Sequence, residues 1–145
     1  MINILICDDD IDITNEVNIL LKNIEAKNRN NFNIDIKNRG DFIFSRKLPY
    51  DIAIVDIEMP GINGLKLSEK LKELNPDIIV IVLTSFQNYL DNAMRIHVFR
   101  YLSKPIDKNR FYENFNDALI EYKYLNKSLS VLFEDEVHQI KTKDI

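Results

Sequence analysis

Five short apolar runs alternate along the chain with segments in which apolar residues recur every three or four positions. The runs are Ile2–Cys7, Phe32–Ile36, Asp51–Val55, Ile78–Leu83 and Val98–Leu102. Such an alternation predicts parallel strands joined by helices. The first, third and fourth runs are apolar at nearly every position, which is typical of central strands covered by helices on both faces. The pattern therefore predicts an α/β fold, a doubly wound parallel sheet of (βα)5 type.

Helical periodicity is clearest in two of the intervening segments. The stripes are Ile13, Val17, Leu20 and Ile24 in the first, and Leu67, Leu71 and Leu74 in the second. Each gives an amphipathic helix one apolar face to bury. A less regular stretch around residues 90–94 fills the fourth gap, and a last helix is predicted after Pro105.

The pattern changes after about Lys123. Leu129–Phe133 and Val137–Ile140 alternate in polarity around the acidic sequence Glu134–Glu136, which predicts a β-hairpin. A segment of roughly twenty residues cannot bury a core of its own. We therefore expect a first domain over residues 1–123, and over residues 124–145 a linker and the start of a truncated C-terminal domain.

Composition narrows the function classes. The 145 residues carry a formal net charge of -4, and the lysines are scattered, which argues against a nucleic-acid-binding surface on this stretch. The single cysteine, Cys7, cannot form an internal disulfide, and no export signal or long apolar run is visible. We expect a cytoplasmic protein that does not contact a membrane.

Polar residues follow four of the predicted strands, where an open α/β sheet forms its ligand crevice. They are Asp8, Asp9, Asp10, Asp56, Thr84, Ser85, Lys104 and Pro105. Converging carboxylates repel one another unless a cation lies among them, and Mg²⁺ prefers oxygen ligands. We therefore expect Mg²⁺ as the cofactor. Asp9 and Asp56 would be direct ligands, Asp8 would act through water, and the main-chain carbonyl of Glu58 would be a further ligand.

The same crevice suits phosphoryl chemistry. An Asp56 oxygen outside the cation's coordination sphere could attack phosphorus as a nucleophile. The three oxygens of a transferring phosphoryl group need cations and donors. Lys104 could pair with one oxygen, and the Thr84 hydroxyl and Ser85 main-chain amide could bind another, while the cation takes the third. Turns at Pro60 and Gly64, and the restricted backbone before Pro105, would fix the loops that carry Asp56 and Lys104.

Over about residues 1–123 these features resemble the receiver domain of two-component response regulators. The matching segments are Ile4–Asp10, Asp56–Gly64, Leu83–Ser85 and Tyr101–Pro105. The resemblance implies a flavodoxin-like fold with strand order 2-1-3-4-5. It implies Asp56 as the phosphoacceptor, Thr84 as the switch hydroxyl and Tyr101 as the switch aromatic residue. It also implies Asp8 and Asp9 as the acidic pair and Lys104 as the phosphate-binding lysine.

In function, the resemblance implies a phosphoacceptor switch whose only enzymatic activities are its own phosphorylation and dephosphorylation. The phosphodonor would be a sensor histidine kinase, and a phosphorylation-dependent homodimer would form through the family's fourth helix, fifth strand and fifth helix. Phe99 stands where the commonest receivers have alanine. The phrase Val98–Leu102 and the tail resemble receivers joined to LytTR-type DNA-binding domains, which implies transcription regulation through a further domain.

Two other functions compete with this interpretation. Asp10, Asp12 and Thr14 match the Asp-x-Asp-x-Thr signature of haloacid-dehalogenase-like phosphatases. However, Asp12 and Thr14 fall within the first predicted helix, and no further acidic metal-binding motif follows Lys104. The second alternative is a receiver that acts without phosphorylation, in which an acidic, threonine or lysine position would be missing. None of these positions is missing here.

Overall fold

The computed structural model describes residues 1–44 and 50–143, with side chains described for 1–43 and 50–127. The strands are β1 (Ile2–Cys7), β2 (Phe32–Lys37), β3 (Ile52–Val55), β4 (Ile79–Thr84) and β5 (Arg100–Ser103). The α-helices are α1 (Ile11–Asn28), α2 (Gly64–Leu74), α3 (Leu90–Arg95) and α4 (Lys108–Lys143), and a 3-10 helix spans Asp41–Phe44. Each of the five predicted apolar runs therefore overlaps a strand, and β2, β4 and β5 each extend one residue beyond the predicted run.

The five strands form one sheet in the order β2-β1-β3-β4-β5, and every pairing is parallel. The predicted fold class and strand order are confirmed. The runs predicted to be central become β1, β3 and β4, and β3 lies in the middle. In the described residues between β2 and β3, the 3-10 helix occupies the position of a crossover helix.

Helices cover both faces of the sheet because alternate strand residues point to opposite sides. On one face, Ile4, Ile54 and Ile81 pack against α1 and α4. The rings of Phe111 and Phe115, both in α4, are stacked with their centroids 5.9 Å apart. The other face packs against α2 and α3. Its buried residues include Leu5, Cys7, Ala53, Val55, Val80, Val82, Leu67, Leu71 and Ala93. With both faces buried, the carboxyl ends of the strands form an open edge.

Side-chain caps begin helices α1 and α2 at that edge. Asp10 accepts from the main-chain N–H of Asp12 at 3.0 Å and begins α1, while Asn63 accepts from that of Lys66 at 2.9 Å and begins α2. Such caps satisfy helix N–H groups that otherwise lack partners. Both helix starts are therefore fixed by the loops that follow β1 and β3.

The predicted β-hairpin in the C-terminal segment is wrong, because α4 continues without a break to Lys143. The apolar residues of that segment also fit a helix, since Leu129 lies four residues after Leu125, and Leu132 and Phe133 lie three and four residues after Leu129. The acidic residues 134–136 include no glycine or asparagine to favour the turn of a hairpin. Residues 144–145 lie outside the described part. A second domain beyond residue 123 stays a prediction.

None of the helices in the described part of the chain is both long enough and apolar enough to span a bilayer.

Candidate functional site

Lys104 joins two aspartates at the carboxyl edge of the sheet. Its Nζ lies 2.7 Å from Asp8 Oδ2 and 3.0 Å from Asp56 Oδ2. The three side chains come from the ends of β1, β3 and β5, and only 4 to 12% of each is exposed. We call this group the buried lysine cluster. It combines three residues that are far apart in sequence and that sequence analysis placed in one site.

The remaining carboxylate oxygens of the cluster accept hydrogen bonds from the main chain. Asp56 Oδ1 accepts from the N–H of Ile57 at 2.7 Å, and Asp8 Oδ1 accepts from that of Asp10 at 2.9 Å. Asn38 Nδ2 donates to the main-chain carbonyl of Asp8 at 3.0 Å. These bonds fix the orientation of both carboxylates, as buried charged groups require.

Burial and charge act in opposite directions on the pKa values in the cluster. Burial raises the pKa of Asp8, although the hydrogen bond from Lys104 opposes the change. Burial would lower the pKa of Lys104, but its hydrogen bonds to Asp8 and Asp56 outweigh burial and raise it. Beneath the cluster, burial and then the nearby aspartates raise the pKa of Cys7 to about 12. Lys104 is therefore a cation at neutral pH and Cys7 a neutral thiol.

Asp9 completes an acidic group that suits a metal ion. Carboxylate oxygens of Asp8, Asp9 and Asp56 lie within 4.8 Å of one another, and Asp9 is exposed while the other two are buried. The ammonium of Lys104 balances one of these negative charges, which leaves two for a divalent cation. A hard cation such as Mg²⁺ takes oxygen ligands of this kind. The residues present therefore fit a metal ion whose open side faces solvent.

The loop after Asp56 is held by close packing of main chain. A Cβ added to Gly64 would lie 1.9 Å from the Asp56 carbonyl oxygen, so only glycine fits at the start of α2. The Gly64 N–H donates to the Ile57 carbonyl at 2.7 Å. Gly61, beside Pro60, has a φ of +79°, a left-handed conformation that favours glycine. The predicted loop residues Pro60 and Gly64 therefore lie in the turn that connects Asp56 to α2.

The second loop region follows β4. Thr84 is fully buried, and its hydroxyl accepts from the main-chain N–H of Phe86 at 3.3 Å, while Ser85 is exposed. The half-buried Tyr101 donates its hydroxyl to the Phe86 carbonyl. Phe86 therefore contacts both predicted switch residues. The peptide bond between Lys104 and Pro105 is cis.

Sequence analysis missed two side chains near the site, Tyr89 and Asn38. The Tyr89 hydroxyl donates to Glu58 Oε1 at 2.8 Å, and Asn38 supports Asp8 from the loop after β2. Neither residue lies in a recognisable motif. For Asn38, its position two residues after a predicted strand was a usable signal, because all parallel strands of the sheet end at the same edge. Tyr89 offered no such signal.

The residues of the phosphatase signature do not converge. Asp12 is exposed on the first turn of α1, Asp10 caps that helix, and the Thr14 hydroxyl donates to the Ile11 carbonyl at 2.9 Å. None of the three belongs to the acidic group that the described residues form around Asp56. These residues shape the start of a helix.

Comparison with known proteins agrees with this geometry. The family model described as the response regulator receiver domain matches residues 4–116. The sensory transduction protein LytT of Bacillus subtilis (strain 168) is 26% identical over 129 residues, which cover 89% of this chain and 51% of LytT. The transcriptional regulatory protein NatR of the same organism is 31% identical over 98 residues, covering 66% and 42% respectively. The chain thus spans about half or less of these relatives.

Solved structures match over most of their length. A receiver domain from Clostridium thermocellum superposes with a TM-score of 0.69 at 26% identity, covering 86% of this chain and 99% of that one. A CheY-like receiver domain from Methanospirillum hungatei JF-1 gives a TM-score of 0.73 at 21% identity, covering 86% and 98%. The second likeness concerns the fold alone.

Proposed function

Because the chain belongs to the response regulator receiver family, we propose that it is a phosphorylation switch in which Asp56 accepts a phosphoryl group. One observation carries the proposal above the others. Lys104 Nζ lies within 3.0 Å of Asp56 Oδ2 inside an acidic group that a divalent cation would complete. A nucleophile, a fixed cation and a metal site are the parts that phosphoryl transfer needs.

In the proposed reaction, an Asp56 carboxylate oxygen attacks the phosphorus of the donor. A new P–O bond forms as the bond from phosphorus to the donor atom breaks, and the leaving group keeps that electron pair. Lys104 would move from its bonds with Asp8 and Asp56 to a phosphoryl oxygen. The Thr84 hydroxyl and the Ser85 amide would bind a second oxygen. Hydrolysis of the acyl phosphate by water would restore the Asp56 carboxylate, so the chain would catalyse only its own modification and demodification.

Mg²⁺ is the cation we propose, held by Asp9 and Asp56, by Asp8 through water and by the main-chain carbonyl of Glu58. It would supply positive charge that draws the phosphoryl group to the site and offsets its negative charge. The exposure of Asp9 beside two buried carboxylates supports access for a hydrated ion. Mg²⁺ keeps several waters when it binds proteins, so few protein ligands are needed.

The proposed switch operates through Thr84 and Tyr101. A phosphoryl group adds about -1.5 to -2 charges. Thr84 would turn toward it, and the Tyr101 ring would move into the space that this leaves. Both hydroxyls now bond the main chain of Phe86, so their movement would release that segment. The proposed output face, formed by α3, β5 and α4, would change as a result.

A histidine kinase is the proposed phosphodonor, and DNA is the proposed target of a further domain. Similarity to LytT and NatR, which are named as sensory transduction and transcriptional regulatory proteins, supports this assignment. The resemblance of residues 98–102 to LytTR-linked receivers supports a LytTR-type output. The cytoplasm is the proposed location, because kinase, receiver and DNA would share it.

Phosphorylation-dependent dimerisation is the proposed link to output. Phe86, Leu90 and Met94 are apolar side chains near the output face that are 38, 43 and 46% exposed. Light scattering with and without a phosphoryl mimic should show a change from monomer to dimer, and Met94→Glu should prevent it. A monomer mass under both conditions would contradict this part of the proposal.

Intact-protein mass spectrometry tests the central proposal. After incubation with acetyl phosphate and Mg²⁺, the chain should gain the mass of one phosphoryl group. The gain should be absent in Asp56→Asn and without Mg²⁺, and it should persist in Asp77→Asn, the same change at an exposed aspartate. An adduct that survives in Asp56→Asn would exclude Asp56 as the acceptor, and the lack of any adduct would favour a receiver that acts without phosphorylation.

A further inference from the structure

The side chain of Glu58 is held by a residue from the neighbouring loop. Glu58 lies two residues after Asp56, between β3 and α2, and Tyr89 precedes the first turn of α3, after β4. The Tyr89 hydroxyl donates to Glu58 Oε1 at 2.8 Å. Because β3 and β4 are adjacent in the sheet, this bond joins the two loops at the carboxyl edge.

Tyr89 is itself fixed by its surroundings. Its ring lies edge-on to that of Phe86, with centroids 6.5 Å apart and planes at 82°. Its main-chain carbonyl accepts from the N–H of Ala93 at 2.9 Å. A fixed donor of this kind restricts where the Glu58 carboxylate can go.

That restriction keeps Glu58 apart from the acidic group. Among the described residues, the carboxylates that converge within 4.8 Å are those of Asp8, Asp9 and Asp56, and Glu58 is not one of them. Yet Glu58 is the residue whose main-chain carbonyl we expect to bind the cation, so its flexible side chain starts beside the site. A fourth carboxylate on the cation would tighten binding and occupy a position that a phosphoryl oxygen needs.

We propose that Tyr89 is a positioning residue that holds the Glu58 carboxylate away from the cation. The bond thereby leaves a coordination position open for the phosphoryl group. This inference rests on the proposed function, since it requires a cation at Asp9 and Asp56. It assigns opposite tasks to two parts of one residue: the Glu58 main chain binds the cation, and the Glu58 side chain is kept from it.

Calorimetric titration of the full chain with Mg²⁺ alone, and separately with Mn²⁺ alone, tests the proposal. Tyr89→Phe removes the hydroxyl but keeps the ring that contacts Phe86. It should bind each cation roughly threefold to tenfold more tightly, because the released carboxylate can reach the ion. Adding Glu58→Gln to Tyr89→Phe should abolish the gain and return the affinity to that of Glu58→Gln alone. Tyr124→Phe, the same change at an exposed site on α4, should not alter it.

The outcomes separate this proposal from the one on which it rests. Equal or weaker affinity in Tyr89→Phe, with normal binding by the unsubstituted chain, would overturn the role of Tyr89 alone. A gain that persists in the double variant would also overturn it, because the gain would not come from Glu58. If the unsubstituted chain bound neither cation, the metal part of the proposed function would fail together with this inference.

Discussion

The two ends of β5 each bring a basic residue to acidic or polar partners, but at very different depths. Lys104, just after the strand, contacts Asp8 and Asp56 at 2.7 and 3.0 Å with at most 12% of any of the three side chains exposed. Arg100, which begins the strand, contacts Asn114 at 3.0 Å and Asp117 at 3.3 Å. There, 40% of the arginine and 50% of the aspartate side chain are exposed.

The contact distances are similar, so burial determines what each group does. We call Arg100, Asn114 and Asp117 the exposed arginine network. Water screens its charges and can replace either partner, so the network contributes little stability. In the buried lysine cluster each charge depends on the others, because removing one leaves the rest buried without compensation. A ligand that brings charge into the cluster must therefore rearrange it, which is what a switch requires.

Lys104→Met should have the largest effect on stability. Methionine retains much of the side-chain volume, but Asp8 and Asp56 lose the cation between them. Without metal, we expect the free energy of unfolding to fall by about 3 to 5 kcal/mol. Saturating Mg²⁺ should recover part of the loss by supplying positive charge. Urea unfolding followed by circular dichroism measures both values.

The exposed Lys127→Met provides the control for that variant, and its unfolding free energy should stay within about 0.5 kcal/mol of the unsubstituted chain. A loss below about 1 kcal/mol in Lys104→Met would mean that the cluster is as well hydrated as a surface ion pair. The contrast between the two ends of β5 would then not hold.

Gly64→Ala should be the next largest change, because the added Cβ would meet main chain and not a flexible side chain. The added Cβ would meet the Asp56 carbonyl oxygen at 1.9 Å, so the loop or α2 must shift. We expect a loss of about 1 to 3 kcal/mol in unfolding free energy. Phosphorylation by acetyl phosphate should also slow, since the shift displaces Asp56.

Gly40→Ala is the matched comparison for Gly64→Ala. There the nearest atom to an added Cβ is the side-chain Cγ2 of Ile62, at 2.5 Å, which can move more easily than backbone. Chemical denaturation should therefore give a smaller loss for Gly40→Ala than for Gly64→Ala. The reverse order would show that the Asp56 loop is deformable.

The buried carboxylate Asp8 should make the free energy of unfolding depend on pH. Burial raises the Asp8 pKa in the folded chain above its usual 3.8. Asp8 therefore binds its proton more tightly when the chain is folded, and its stabilising contribution is complete below pH 3.8 and is lost as pH rises through the folded pKa. In metal-free urea titrations, Asp8→Asn should remove this contribution. If the difference between the two proteins does not vary across that pH range, the pKa of Asp8 is unchanged by folding.

The elements that could be predicted from the sequence are those with an unambiguous pattern of apolar residues. Short, fully apolar runs such as Ile78–Leu83, separated by segments with a helical period, indicate buried strands, and parallel strands bring their carboxyl ends together. The convergence of Asp8, Asp56 and Lys104 therefore follows from the sequence. The β-hairpin predicted for the C-terminal segment was wrong because the pattern there is ambiguous. Residues 129–140 satisfy a two-residue period and a helical period at once, and the helix that starts in the core continues through them.

The sequence did not allow us to predict which side chains from different loops form hydrogen bonds with each other. Nothing in the order of residues indicates that Tyr89 meets Glu58, because a hydroxyl can bond any acceptor within reach and loop geometry decides which one is near. Arg100 is a similar case. The order of residues does not indicate that Arg100 stacks on Phe99 and reaches α4.

Substitutions at the exposed end of β5, Arg100→Met and Asp117→Asn, should therefore have the smallest effects on stability. The Arg100→Met variant loses hydrogen bonds to Asn114, to Asp117 and to the main-chain carbonyl of Phe99, which water can replace at this half-exposed position, and methionine can still pack on the Phe99 ring. We expect the unfolding free energy to fall by about 0.5 to 1 kcal/mol, with about 0.2 to 0.5 kcal/mol for Asp117→Asn. Raising the salt concentration in the urea titration should shrink the Asp117→Asn effect, whereas the Lys104→Met effect should persist because buried charges are poorly screened. Equal salt sensitivity in both variants would mean that depth does not separate the two ends of β5.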